Sequence, residues 1–206
     1  MQFVIEQVRS LFAEDASGHD VWHTLRVYRM AMRIAESETC NKEIVMLGAL
    51  LHDVDDPKLF NTRDYANARR ILRQYGASGE VEAQVIDVIS TVSYGGGSVV
   101  PATVEGKIVQ DADRLDALGA IGIARTFAYG GGRGTPMHDP DMPPRHNMTK
   151  EEYRAHRGTT LNHFHEKLFL LKDTMNTETA KRLALHRDGI LHDFMEEFLA
   201  EWEGQR

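Results

Sequence analysis

Residues 41–53 run Asn-Lys-Glu-Ile-Val-Met-Leu-Gly-Ala-Leu-Leu-His-Asp, and no other segment constrains the fold as much. Asn41 is a plausible N-cap, and Ile44, Val45, Leu47, Gly48, Leu50 and Leu51 make the helix behind it apolar nearly all round. A helix of that kind belongs at the centre of a bundle, covered on every side. Yet it ends on His52 and Asp53, neighbours about 100° apart on a helix, which cannot both face water. An ionised carboxylate buried without a partner is too costly to keep. Either His52 and Asp53 bond to each other in the core, or a cation satisfies both.

The remaining sequence reads as further helices. Phe3, Val4, Val8, Leu11 and Phe12 have helical spacing, and Ser17-Gly18 closes that segment. A second helix begins near His19-Asp20 and carries Val21, Leu25, Val27, Tyr28, Ala31, Met32 and Ile34 on its inner side. Pro57 stops the central helix. Helices are predicted over 63–75, closed by Gly76, and over 79–92, opened by Ser78. One long helix is expected over 103–129, ended by Gly130-Gly131-Gly132, and a Gly/Pro loop over 130–148. Thr149 with Glu152 makes a capping box for a helix to about Met175, and the last helix runs from Thr177 to Trp202. No strand is expected, except for a weak period-two alternation at Ser98–Ala102. The reading is an all-α, single-domain bundle.

Charge and composition narrow the function. The 31 acidic residues outnumber 24 Lys and Arg, a formal charge of −7, which disfavours a duplex nucleic-acid groove. A small anionic substrate stays open, because a bound ion and a few local cations reverse the field within a pocket. A single cysteine, Cys40, excludes a disulfide framework and a thiolate zinc site. The amphipathic, partly acidic N-terminus does not read as a leader, and no apolar run is long enough to span a bilayer. The cytoplasm is the expected compartment.

Two more polar groups interrupt apolar helices. His23 lies in Gly-His-Asp-Val-Trp-His-Thr-Leu-Arg-Val with Arg26 one turn on. Asp111, Asp113 and Asp116 crowd into six residues of an Ile/Val/Leu/Ala-rich helix. Asp111 shares a face with Ile108, Leu115 and Leu118; Asp113 lies roughly opposite, near Val109 and Ala120. Periodicity alone does not choose between them. Imidazole and carboxylate together suit a divalent ion of the Mn, Ni, Co, Fe or Mg type, so a cation gathered by His23, His52, Asp53 and one of these aspartates is the sharper reading.

These segments resemble the HD-domain superfamily of metal-dependent phosphohydrolases, whose signature is a His, a later His-Asp pair and a still later Asp. Gly18–Val27, Leu50–Asp53 and Glu105–Ala128 are similar to small bacterial members of the nucleotide pyrophosphohydrolase type, as are 129–140 and 161–168. The resemblance covers nearly the whole chain and implies one HD domain over 1–206, with a metal-binding core at about 18–130 and C-terminal helices over 149–204. It implies one divalent ion on His23, His52, Asp53 and Asp113, with Asp111 as the alternative fourth ligand. Asp56, three positions after the pair, takes the water-activating role, although related chains often carry Glu there; Asp55 and Asp56 read equally as a solvated helix end. Arg26, Lys58, Arg114, Arg133 and His163 are the candidates to hold substrate. The implied reaction is hydrolysis of a (deoxy)nucleoside triphosphate with release of pyrophosphate. A nucleotide phosphodiesterase, a phosphomonoesterase and a non-catalytic metal or nucleotide sensor are the alternatives. A homodimer is compatible with this reading.

Overall fold

The computed structural model of the chain describes residues 1–13, 21–57, 59–92, 99–145 and 158–206. The helices are α1 (Gln2–Leu11), α2 (Val21–Ala35), α3 (Lys42–Leu51), α4 (Ala66–Tyr75), α5 (Gly79–Val92), α6 (Val104–Asp116) and α7 (Gly119–Gly132). A continuous helical stretch, α8, follows as Phe164–Leu168, Phe169–Leu171 and Lys172–Thr174, and α9 covers Glu178–Trp202. No strand occurs among the described residues, so the all-α expectation holds. They form two compact units, Met1–Asp113 and Arg114–Arg206. No helix among the described residues is long and apolar enough to cross a membrane.

In the first unit α3 is the central element, contacting α1, α2 and α5. Asn41 caps it as the sequence suggests, its Oδ1 accepting from the amides of Glu43 and Ile44 at 3.0 and 3.4 Å. Ile44, Val45, Leu47, Leu50 and Leu51 are essentially inaccessible to water. Gly48 permits a close approach on which the site depends. A Cβ there would lie 2.8 Å from Val88 Cγ1 of α5 and 3.4 Å from Val109 Cγ2 of α6. Gly48 precedes His52 by one turn and Val109 precedes Asp113 by one turn, so this contact sets how near those two side chains come. Gly48→Val is expected to destabilise the fold by about 2–3 kcal/mol through overpacking. A urea unfolding midpoint checks this, and an unchanged midpoint would show that α3 has room to move.

Several boundaries differ from the sequence expectation: α1 ends at Leu11, ahead of Ser17-Gly18, and the helix expected from Thr149 to about Met175 is not continuous, because residues 158–161 are not helical. The single helix over 103–129 is two helices: Leu118 is extended (φ −111°, ψ 159°) and Gly119 takes φ +69°. The reversal lays the Ala117 carbonyl where a Cβ on Gly122 would be, 2.2 Å away, so the helix breaks at Ala117–Leu118 and Gly119–Gly122 form the first turn of a new one. Helix α7 then continues through Gly130 and Gly131 instead of stopping before them. The fourth helix starts at Ala66, not near 63, because Asp64 and Tyr65 adopt left-handed backbone at φ 53° and 56°. The capping box Thr149/Glu152 lies outside the described residues.

The second unit is organised by aromatic side chains. Phe127 of α7 meets the rings of Phe164 and Phe194 edge-on at 6.2 and 5.7 Å, and Phe164 stacks on Phe194 at 5.8 Å. The part of α8 that contains Phe164–Leu168 is wound as a π-helix. The loop ahead of it is tied down: Thr160 and Leu161 donate their amides to the Pro136 and Met137 carbonyls, and Asn162 Nδ2 donates to the Met142 carbonyl. Thr177 caps α9, its side chain accepting from the Ala180 amide at 3.3 Å.

Candidate metal centre

Four side chains from three helices and the turn after one of them converge in the first unit. His23 Nε2 of α2 lies 3.2 Å from His52 Nε2 at the end of α3. Asp53 Oδ2 is 3.4 Å from His23 Nε2 and 3.3 Å from His52 Nε2. Asp113 Oδ1 of α6 is 3.4 Å from His23 Nε2 and 3.8 Å from His52 Nε2. Both imidazoles are buried, with 2% and 1% of their side chains exposed, whereas Asp53 and Asp113 keep 15% and 25%. The cluster is therefore dry on its imidazole side and reachable on its carboxylate side.

The donor chemistry explains why these atoms need a cation. His52 Nδ1 is 2.9 Å from the Ala49 carbonyl, an oxygen that can only accept, so the ring proton belongs on Nδ1. That leaves Nε2 with its lone pair directed at another imidazole nitrogen and two carboxylate oxygens. Tying the far ring nitrogen to a carbonyl is also how metal-ligating histidines are oriented. Donors bonded to one ion at about 2.0–2.3 Å stand about 3–4 Å apart on neighbouring corners of its coordination shell. The observed separations fall in that range, and His23, His52 and Asp113 each offer a ligand atom within 4.8 Å of the others.

Electrostatics agree with the geometry. Burial penalises the His52 imidazolium, but Asp53, by charge and hydrogen bond, and Asp113 outweigh it and raise its pKa above the ordinary imidazole value, with His23 opposing. For Asp113, burial works against the anion, yet the hydrogen bond to His23 and the charges of both histidines hold its pKa below the ordinary carboxylate value. Both shifts favour a protonated imidazole beside an ionised carboxylate.

The other sequence candidates are distributed as follows. Arg26 is half-buried one turn beyond His23 on α2. Asp56 is half-buried just past the His52–Asp53 turn; its amide donates to the Asp53 carbonyl, and its own carbonyl accepts from Leu59 and Phe60. Lys58 lies outside the described residues. Asp111 is fully buried but is not among the residues that meet at the two Nε2 atoms. Arg114, Arg133 and His163 belong to the second unit. Arg114 is buried and donates to the Thr174 carbonyl at 2.6 Å, and Arg133 lies over the Tyr129 ring at 4.7 Å. His163 has its pKa pushed down to about 3 by burial and by Lys167, so it is neutral at physiological pH.

Two supporting residues escaped the sequence reading. Gln110, one turn before Asp113, donates through Nε2 to the Thr91 and Val99 carbonyls at 2.8 and 2.9 Å and anchors α6 to both segments. Asp55, which looked like a solvated helix end, bonds to the start of α4. A buried glutamine in an apolar helix was the available signal for the first; nothing in local spacing announced the second.

Comparison with known proteins accords with this geometry. The HD domain model matches residues 21–118. YpgQ of Bacillus subtilis (strain 168), itself uncharacterized, is 38% identical over 201 residues, covering 95% of this chain and 88% of YpgQ. A crystal structure of an HD-superfamily hydrolase from Bacillus thuringiensis superposes with a TM-score of 0.77 at 42% identity, covering 98% of this chain and 96% of that one. The crystal structure of Bacillus subtilis YpgQ in complex with ADP gives a TM-score of 0.75 at 34% identity, covering 96% of each chain. The chain belongs to the HD-domain family. Its class is that of the metal-dependent phosphohydrolases.

Proposed function

We propose that this phosphohydrolase cleaves a nucleoside triphosphate, deoxy forms included, to the monophosphate and pyrophosphate in the cytoplasm, using one divalent ion held by His23, His52, Asp53 and Asp113. The observation that carries the reading is the meeting of two imidazole Nε2 atoms 3.2 Å apart with two carboxylate oxygens. The ADP bound by YpgQ supports a nucleotide as the substrate class. When bound, the ion supplies Lewis-acid polarisation of the phosphate and activation of water. Its identity is one of Mn, Ni, Co, Fe or Mg, since mixed His/Asp sites accept them all.

The residues of the chain do the rest. His52, its ring held by Ala49, presents a fixed lone pair. Asp56 orients the attacking water and takes its proton as the water oxygen bonds to the α-phosphorus; the bond to the bridging oxygen breaks and pyrophosphate leaves. Arg26 and Lys58 hold the polyphosphate, the guanidinium by paired hydrogen bonds and the ammonium as a point charge. A hydrolysis screen across dNTPs, NTPs, NDPs, NMPs and cyclic nucleotides, with products identified, tests this. Pyrophosphate from triphosphates is the expected result. Orthophosphate from monophosphates, or opening of cyclic nucleotides alone, would replace it with one of the esterase readings.

Two further outcomes follow from the site. Asp113→Asn is expected to lose the ion and Asp111→Asn to keep it, as read by metal content after desalting; the reverse would transfer the ligand role to Asp111. The second outcome concerns pH. In the metal-free protein the raised His52 pKa contributes stability that is full below the ordinary imidazole value and lost as pH rises through the raised one. Only the neutral imidazole ligates, so ion binding has the opposite dependence. The rise in Tm produced by Mn²⁺ should be large at about pH 8 and shrink as the pH falls toward about 6, near the unperturbed imidazole pKa. Equal shifts at both pH values would mean that no histidine holds the ion.

A further inference from the structure

Helix α4 begins without a cap of its own. Its N-cap residue, Tyr65, is left-handed (φ 56°, ψ 43°) and provides no side-chain hydrogen bond. Asp64 before it is left-handed as well, at φ 53°. Two consecutive non-glycine residues in that region are costly and persist only where the surroundings over-determine them. The surroundings here are the turn that carries the metal-site pair. Asp55 Oδ1 accepts from the Asn67 amide at 3.0 Å and Oδ2 from the Ala68 amide at 2.9 Å, the contacts an N-cap side chain would make, supplied from 12 and 13 residues away. Asn67 returns a bond, its Nδ2 donating to the Val54 carbonyl at 2.8 Å.

The clasp closes immediately behind two proposed ligands. After α3 ends at Leu51, the chain turns through 52–55, and the Asp56 amide bonds back to the Asp53 carbonyl at 3.1 Å. Val54 is fully buried, so this turn has an apolar foot inside the fold and a polar clamp outside it. His52 is steadied from the front by the Ala49 carbonyl, and the Asp53 carbonyl accepts from the Asp56 amide of the same turn. A ligand must be kept within about 0.5 Å of its productive position, and outer partners that do this for a metal site are worth about 10–100-fold in affinity.

We infer that Asp55 is a positioning residue for the ion-binding cluster: by capping α4 from the His52–Asp53 turn, its carboxylate fixes the direction in which Asp53 meets the ion. The inference rests on the metal reading above, and its test separates the two. Mn²⁺ affinity is measured by the loss of the free-ion EPR signal, and the visible absorption of Co²⁺ added to metal-free protein reports coordination geometry. Both are measured for the wild type, Asp55→Ala, Asp55→Asn, Asn67→Ala and Thr177→Ala. The last removes a helix cap in the second unit and controls for general loss of stability.

Asp55→Ala should weaken Mn²⁺ binding roughly 10–100-fold and change the Co²⁺ bands. Asp55→Asn, which keeps one acceptor oxygen, should fall between it and the wild type. Thr177→Ala should match the wild type in both readouts. If Asp55→Ala does not fold, Asn67→Ala decides, because it removes only the bond to Val54 and should still weaken Mn²⁺ binding. Wild-type affinity and spectrum in the Asp55 and Asn67 variants would overturn the inference while leaving the metal site standing. Equal weakening in Thr177→Ala would also overturn it, and a wild type that binds no Mn²⁺ would remove the metal reading and this one together.

Discussion

Replacing His52 with alanine is expected to cost the protein both its ion and its turnover. Nε2 of this residue lies within 3.2–3.8 Å of the three other donor atoms, so its removal opens the centre of the cluster. The remaining His23, Asp53 and Asp113 would have to hold a divalent ion with one imidazole. Loss of an outer partner alone costs about 10–100-fold in metal affinity, and loss of a ligand should exceed that. The substitution also leaves the Ala49 carbonyl without its donor and a space behind a buried ring, so some stability is lost regardless of metal. The two effects separate cleanly: Mn²⁺ should raise the Tm of the wild type and leave that of His52→Ala where it was. Stoichiometric metal in the purified variant, with turnover intact, would remove His52 from the site.

Asp56→Asn should give the opposite pattern, with the ion retained and turnover reduced by roughly 10²–10⁴. In activation terms that is about 3–5 kcal/mol. Its backbone is set relative to the cluster by the bond from its amide to the Asp53 carbonyl, and its own carbonyl receives the Leu59 and Phe60 amides, bonds that the exchange of a side-chain oxygen for nitrogen does not remove. An amide still orients water but takes no proton, so kcat should fall while metal content and nucleotide KM stay near wild type. A near-normal kcat would assign the proton to another group and reduce Asp56 to the end of a turn.

The parts of this structure that were legible in the sequence are those governed by local rules. An all-apolar run behind Asn41 could only be a buried, capped helix, and α3 is that helix. Gly76 closes α4 at φ 87°, and Thr177 caps α9, both from short-range chemistry visible in the residue types. The residues proposed as ligands stood out as types that do not belong on apolar helices. The choice between Asp111 and Asp113 was not, because burial favours neither role: Asp111 is the more deeply buried of the two, yet Asp113 is the one turned toward His23 and His52. What the sequence could not disclose depends on partners distant in the chain. The break between α6 and α7 lies in a run with good helical composition, where the reversal at Gly119 and the Ala117 carbonyl over Gly122 decide the outcome. The late start of α4 has the same origin, since its cap comes from Asp55 on another element.

The most direct measurement is anomalous diffraction at the manganese edge from crystals grown with Mn²⁺. A single strong peak within bonding distance of His23 Nε2, His52 Nε2 and one oxygen each of Asp53 and Asp113 is the predicted result. A peak seated on Asp111, or no peak among these side chains at saturating Mn²⁺, would contradict it.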